Sequence, residues 1–113
     1  MNMLNMLQDK IQSDHYRAGA VILRQGQLGE YMYVVQEGEL DVHIDGQYIR
    51  TLGKEEIFGE MALIDGSPHS ADVVAKTECK VAAIDERRFL FLVHESPVFA
   101  LHVMRILVKR LRN

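Results

Sequence analysis

The residues with the most chemistry lie in two short runs, Gly59-Glu60-Met61-Ala62 and His69-Ser70-Ala71. The first run follows Ile57-Phe58, an apolar pair that reads as buried strand, and Gly59 breaks that strand. Glu60 to Ile64 then has the length of about one helical turn. A strand that ends in glycine and enters a helical turn leaves several backbone N–H groups unpaired at one spot. Those groups point outward and the dipole there is positive, which suits an anion. Asp65-Gly66-Ser67-Pro68 is a dense turn signal. His69 to Ala75 reads as strand again, returning the polar groups of His69 and Ser70 beside the glycine. Glu60 has two uses in this setting: an acid in the first turn of a short helix, or an acceptor for a sugar hydroxyl. The competing reading of the stretch is a glycine-punctuated connection with no ligand.

Other chemistries find less support. The histidines stand at positions 15, 43, 69, 94 and 102. No two of them have the i, i+2 spacing that would let one strand of a metal-binding jelly roll share an ion, so no metal or cofactor is expected. No serine or cysteine sits in an elbow-like context with a base, so no enzyme is expected. The single cysteine, Cys79, falls on a predicted strand as a core-edge thiol. One cysteine excludes an internal disulfide framework and fits a reducing, cytoplasmic setting.

The elements that must position these residues follow from periodicity. Met3, Met6, Leu7 and Ile11 recur at helical spacing and predict an amphipathic helix over residues 1–13, ended by Ser13-Asp14. Tyr16 to Leu23 reads as extended around an Ala18-Gly19 turn, and Tyr31 to Gln36 as a strand. Glu39 to Asp45 alternates polar and apolar strictly, so Leu40, Val42 and Ile44 should face the core. Asp45-Gly46 predicts a hairpin to a partner strand over Gln47–Leu52, because both turn residues need positive φ. Cys79–Ile84 is a further strand. Asp85 can cap a helix over Glu86–His94, and Ser96-Pro97 opens a last helix to about Arg112.

Strands joined by short glycine turns between helices predict a mainly β protein with flanking α-helices, a jelly-roll β-roll. With 113 residues, a single domain is expected, the roll spanning 15–85 and the closing helices 86–112. Apolar content of 48% and charged content of 26% are ordinary for a globular protein. A net charge of −3 argues against a general nucleic-acid binder. No apolar run reaches the roughly 18 residues of a membrane span, and the first residues lack the features of a secretory signal. Neither DNA nor a membrane is an expected partner.

Phe58-Gly59-Glu60-Met61-Ala62-Leu63 followed by Pro68-His69-Ser70-Ala71-Asp72-Val73 resembles the phosphate-binding cassette of cyclic-nucleotide-binding domains, here over 58–71. Tyr16 to Gly26, Tyr31 to Val42 and Ala75 to Phe89 resemble that family's opening turn, its central strands and the strand leaving the cassette. The resemblance covers nearly the whole chain and implies the double-stranded β-helix of that family. It also implies roles. Backbone N–H groups at Gly59, Met61 and Ala62, with Ser70 and Ala71, would hold the cyclic phosphate, and Glu60 the ribose hydroxyl. The chain departs from the family at His69, where the family has the arginine that grips the phosphate. A neutral imidazole offers one donor in place of a charged planar fork. That exchange is expected to weaken nucleotide binding by roughly 10- to 1000-fold.

The resemblance therefore implies a regulatory module for cyclic AMP, cyclic GMP or a related small anion, acting on an effector that the sequence does not name. The alternative is a degenerate member that works by protein association. A surface bears on that alternative. From Pro97 on, His102, Arg105, Lys109 and Arg112 form one narrow polar stripe, and apart from Arg110 the rest is apolar. Such a helix has about twice the apolar arc one domain can cover. A homodimer through Val103, Ile106, Leu107 and Leu111 is expected.

Overall fold

The computed structural model describes residues 13–112. The helix expected over residues 1–13 lies outside them, except that Ser13, expected to end it, already belongs to a strand. The element order is β1 (Ser13–Tyr16), β2 (Val21–Leu23), β3 (Met32–Glu37), β4 (Leu40–Ile44), β5 (Gln47–Leu52), β6 (Ile57–Phe58), α1 (Glu60–Asp65), β7 (Asp72–Ala75), β8 (Cys79–Ile84), α2 (Glu86–Glu95) and α3 (Pro97–Arg112). The strands form two antiparallel four-stranded sheets, ordered β1-β8-β3-β6 and β2-β7-β4-β5. This is the expected jelly-roll β-roll with flanking helices.

The first sheet is the middle of three layers, and the period-two alternation of its strands explains why. On β3, Met32 and Val34 face a cluster completed by Leu92, Phe99 and Val103 of α2 and α3. Val35, on the other face, joins a second cluster with Leu40, Val42 and Leu52 of the facing sheet. β8 divides in the same way, Ala82 and Ile84 toward the helices, Cys79 and Val81 toward the roll. Both faces are buried, so these strands are apolar almost throughout.

The β4–β5 hairpin closes through Asp45 (φ 52°) and Gly46 (φ 80°), the positive-φ pair the sequence calls for. Leu40 and Val42 are buried as expected, and Ile44 is half-buried. Asp85 caps α2, its carboxylate accepting a bond from Arg88 N–H at 2.8 Å. Ser96 separates α2 from α3, whose axes differ by 118°. Phe89 and Phe99 meet edge to face across that corner at 5.6 Å.

One expected boundary moves. The strand predicted over His69–Ala75 begins only at Asp72. His69 N–H donates to Gln27 O at 2.9 Å, and Gly26 N–H donates to His69 O at 2.8 Å. His69 is thus bonded to the β2–β3 loop and not to a ladder, while Asp72 accepts from Gln25 N–H at 2.7 Å.

Candidate functional site

Gly59 interrupts the chain after β6 in the left-handed region (φ 73°, ψ 9°). A side chain there would crowd Tyr33 at 3.1 Å and the Tyr31 carbonyl at 3.2 Å, so glycine answers both a conformational and a spatial demand. α1 starts at once with Glu60 and ends at Gly66, also left-handed (φ 73°), whose N–H bonds to Ala62 O at 3.1 Å. Glu60 makes no capping bond to its own helix. The turn and the β7 approach fold both runs toward one cavity of about 420 Å³.

That cavity joins every residue of the two runs: Gly59, Glu60, Met61 and Ala62 on one side, His69, Ser70 and Ala71 on the other. Its floor is apolar, made of Leu23, Val42, Leu52, Phe58 and Val73. Ala62 and Ala71 are buried, whereas Met61 is half exposed and Ser70 open to solvent.

His69 is the only buried polar residue among those described, 9% exposed. Its ring lies over Gly29, with Nε2 2.4 Å from where a Cβ on that glycine would stand. Burial pushes the imidazole pKa below its ordinary 6.5, since desolvation disfavours the charged form. A cationic His69 at near-neutral pH, standing in for the family arginine, is therefore disfavoured.

Arg110 was missed by sequence reasoning, which set it aside as the one exception to the apolar remainder of the last helix. From the last turn of α3 its guanidinium pairs with Glu60 Oε1 at 2.6 Å and also bonds the Ile57 carbonyl. The available signal was helical phase. Phe99, Val103, Ile106 and Arg110 follow one another at four, three and four residues, so Arg110 continues the buried face. Leu107 and Leu111 reach the same cavity mouth.

The helix surface expected to dimerise is distributed differently. Val103 is 3% exposed and belongs to the protein's own core, and Ile106 and Leu107 pack against that core, so these three are not a free face. Leu111 is open. The exposed apolar residues are Val98, Leu101, Met104 and Val108, on the opposite side of α3. The excess apolar arc read from the sequence is present, rotated away from the residues expected to carry it.

A left-handed glycine opening a short helix, a carboxylate paired with Arg110 and an apolar floor thus border one cavity of the β-roll. The chain belongs to the cyclic nucleotide-binding domain family, whose sequence model matches residues 13–96. It is 37% identical over 86 residues to a cAMP-dependent protein kinase regulatory subunit of Eremothecium gossypii, covering 76% of this chain and 18% of that protein. The corresponding subunit of Schizosaccharomyces pombe is 39% identical over 82 residues, 72% of this chain and 20% of that one. The chain thus spans about a fifth of the length of these relatives. The catabolite activator protein of Thermus thermophilus superposes with a TM-score of 0.81 at 29% identity, over 95% of this chain and 58% of that one. A structure from work on a cyclic-GMP-dependent signalling pathway in bacterial phytopathogenesis gives 0.86 at 25% identity, over 100% and 95%.

Proposed function

We propose that this chain is a ligand-sensing module that takes a cyclic nucleotide into the 420 Å³ cavity. The observation that carries the reading is the convergence of both sequence runs on that one cavity. The relatives named above, described as regulatory subunits of a cAMP-dependent kinase, support the ligand class. The phosphate lies against the backbone of Gly59, Met61 and Ala62 beside Ser70 and Ala71. The ribose hydroxyl is accepted by Glu60, which exchanges part of its bonding to Arg110. The module's role is regulatory, not catalytic.

The charge missing at His69 sets the experiment. Calorimetric titration with cyclic AMP and cyclic GMP should show weak binding, and His69→Arg should tighten it at least about tenfold. A folded His69→Arg protein that gives no heat at millimolar nucleotide rejects the reading.

A second reading, association through α3, is favoured by the exposed stripe of Val98, Leu101, Met104 and Val108. Contiguous apolar surface of this kind marks a contact site, and a two-fold homodimer is the form it most readily takes.

A further inference from the structure

A second cavity, of about 320 Å³, opens beside β1 and shares no lining residue with the first. Three tyrosines line it, Tyr16, Tyr31 and Tyr33, together with Asp14, Asp85 and Arg88. Strand alternation brings them to one side. Val35 and Val81 face the roll, so Tyr33 and Ala83, two residues from them, share that face. Asp14 pairs with Val81, Tyr16 with Cys79 and Tyr33 with Ala83. Asp14, Tyr16 and Tyr33 therefore stand on the roll side of the first sheet, and Tyr31 and Asp85 continue its parity just past the strand ends. Ala83, a short side chain between longer ones, leaves the space open.

The same register separates the charges. Asp14 lies in the row of Val81, and Asp85 follows Val81 by four residues, about 13 Å of extended chain. At the Asp85 end, acid and base occur together, since Arg88 stands on the first turn of α2 and its N–H bonds the Asp85 carboxylate at 2.8 Å. At the other end, Asp14 has no cation beside it in the cavity lining. No hydrogen bond or ion pair joins its carboxylate to any described residue. The cavity thus carries two carboxylates against one guanidinium, with Asp14 left unmatched next to the tyrosines.

The rings decide what the unmatched charge can hold. Tyr33 stacks on Phe58 at 5.0 Å and 12°, so one of its faces is covered and the other remains. Tyr31 stands 6.2 Å away at 50°, and the two rings make an open corner. Tyr16 and Tyr33 pack against the roll-side core, which fixes their positions. Burial, then Asp14, pushes the Tyr16 phenol pKa above its ordinary 10, and burial with the neighbouring phenols does the same at Tyr33. These rings therefore stay neutral near pH 7. The face of a neutral phenol is negative and attracts a cation without a hydrogen bond. A cation sheathed in methyl groups suits such walls best, because it has no donors to leave unsatisfied. The surplus carboxylate repels an anion. We propose that this cavity is a second binding site, for a small free organic cation of the trimethylammonium class, held by Tyr16, Tyr31 and Tyr33 with Asp14 as counter-ion.

The test is a calorimetric titration with choline and with 3,3-dimethylbutan-1-ol, in which carbon replaces the nitrogen and the charge is gone. Choline should bind at least about tenfold more tightly than this neutral isostere, the combined effect of several ring contacts and one carboxylate. That comparison needs no variant to fold. Tyr31→Leu, at an exposed position, should weaken choline by about 2- to 5-fold, the span for one exposed ring. Asp14→Asn should weaken it by a similar factor, as loss of one exposed counter-ion does. Neither substitution should move the isostere, and unchanged urea midpoints check that both variants are folded. Co-sedimentation with phosphatidylcholine vesicles separates a free ligand from a lipid headgroup, and the protein should stay in solution. No heat with choline at about 50 mM, equal affinity for choline and its isostere, or choline binding unmoved in Tyr31→Leu or in Asp14→Asn overturns the site. Protein that pellets with the vesicles overturns the assignment to a free ligand. None of these outcomes depends on whether a nucleotide enters the first cavity.

Discussion

The helix-side and roll-side clusters share one sheet and draw on the same residue types, yet one is sealed and the other opens into a cavity. On the helix side, Met32, Ile84, Leu92 and Phe99 are all at most 1% exposed, and two helices close the layer. On the roll side, Leu23, Val42, Leu52, Phe58 and Val73 form a floor left open above, and β5, the edge strand of the same sheet as Val42 and Val73, offers Arg50 where an apolar residue would complete the packing. The difference teaches where this fold holds its stability and where it leaves a cavity. A packed interior loses contacts at any void, so the open side contributes less packing than the sealed one.

The largest expected effect sharpens that contrast. Phe99→Ala should cost about 3–5 kcal/mol in urea unfolding, the range for a deeply buried aromatic. Val73→Ala, against an existing cavity, removes about two methylene equivalents and should cost about 1–2 kcal/mol. Comparable losses at the two sites would break the distinction between sealed and open.

Next comes the ion pair that joins the two regions. Arg110→Ala leaves the Glu60 carboxylate and the Ile57 carbonyl without their partner and should destabilise by about 1–3 kcal/mol. A double-mutant cycle with Glu60→Gln should return a coupling of at least about 0.5 kcal/mol. Additive effects would mean that α3 and the cassette are energetically separate.

A smaller effect is expected from His69. Its pKa is lowered in the folded state, so the unfolded chain binds the proton first as pH falls. The contribution of neutral His69 is fully present above the unfolded value of about 6.5 and is lost as pH drops through the folded one. Unfolding free energies of wild type and His69→Gln should run parallel above pH 6.5 and diverge below it, wild type falling faster. By the same sign, any gain in anion affinity from protonation belongs below pH 6.5 and not at neutrality. Parallel curves down to pH 5 would remove His69 as a titrating group.

The least change in stability is expected on the outer face of α3. Met104→Glu and Val108→Glu alter exposed positions and, at concentrations below the dimer Kd where association adds nothing, should shift unfolding by no more than about 0.5 kcal/mol. The same variants should convert a wild-type dimer to monomer in sedimentation at about 10–100 μM, concentrations well above a micromolar Kd. A wild-type monomer of 12.9 kDa under those conditions rejects association through α3.

Much of this fold was legible because its signals are local. The Asp45-Gly46 hairpin, the Asp85 cap and the alternation around Leu40 and Val42 each depend on a few adjacent residues, and each stands where the sequence puts it. The cassette was legible through its residue order. What escaped was set by contacts between distant segments. His69 leaves the strand because the β2–β3 loop supplies its backbone partners. Arg110 reaches Glu60 across fifty residues of sequence. The burial of Val103, Ile106 and Leu107 escaped because arc width says how much of a helix is apolar, but not which side the core takes.

The Arg110 pair sits in the final turn of a helix, the part that frays at least cost. Its guanidinium reads two neighbours at once, the Glu60 carboxylate and the Ile57 carbonyl. Anything that occupies Glu60 therefore loosens the hold on that turn, and by linkage anything that loosens or steadies the turn changes the occupancy of Glu60 by the same factor. The end of α3 and the Glu60 side of the cavity are two terminals of one equilibrium, and either can be used to measure the other.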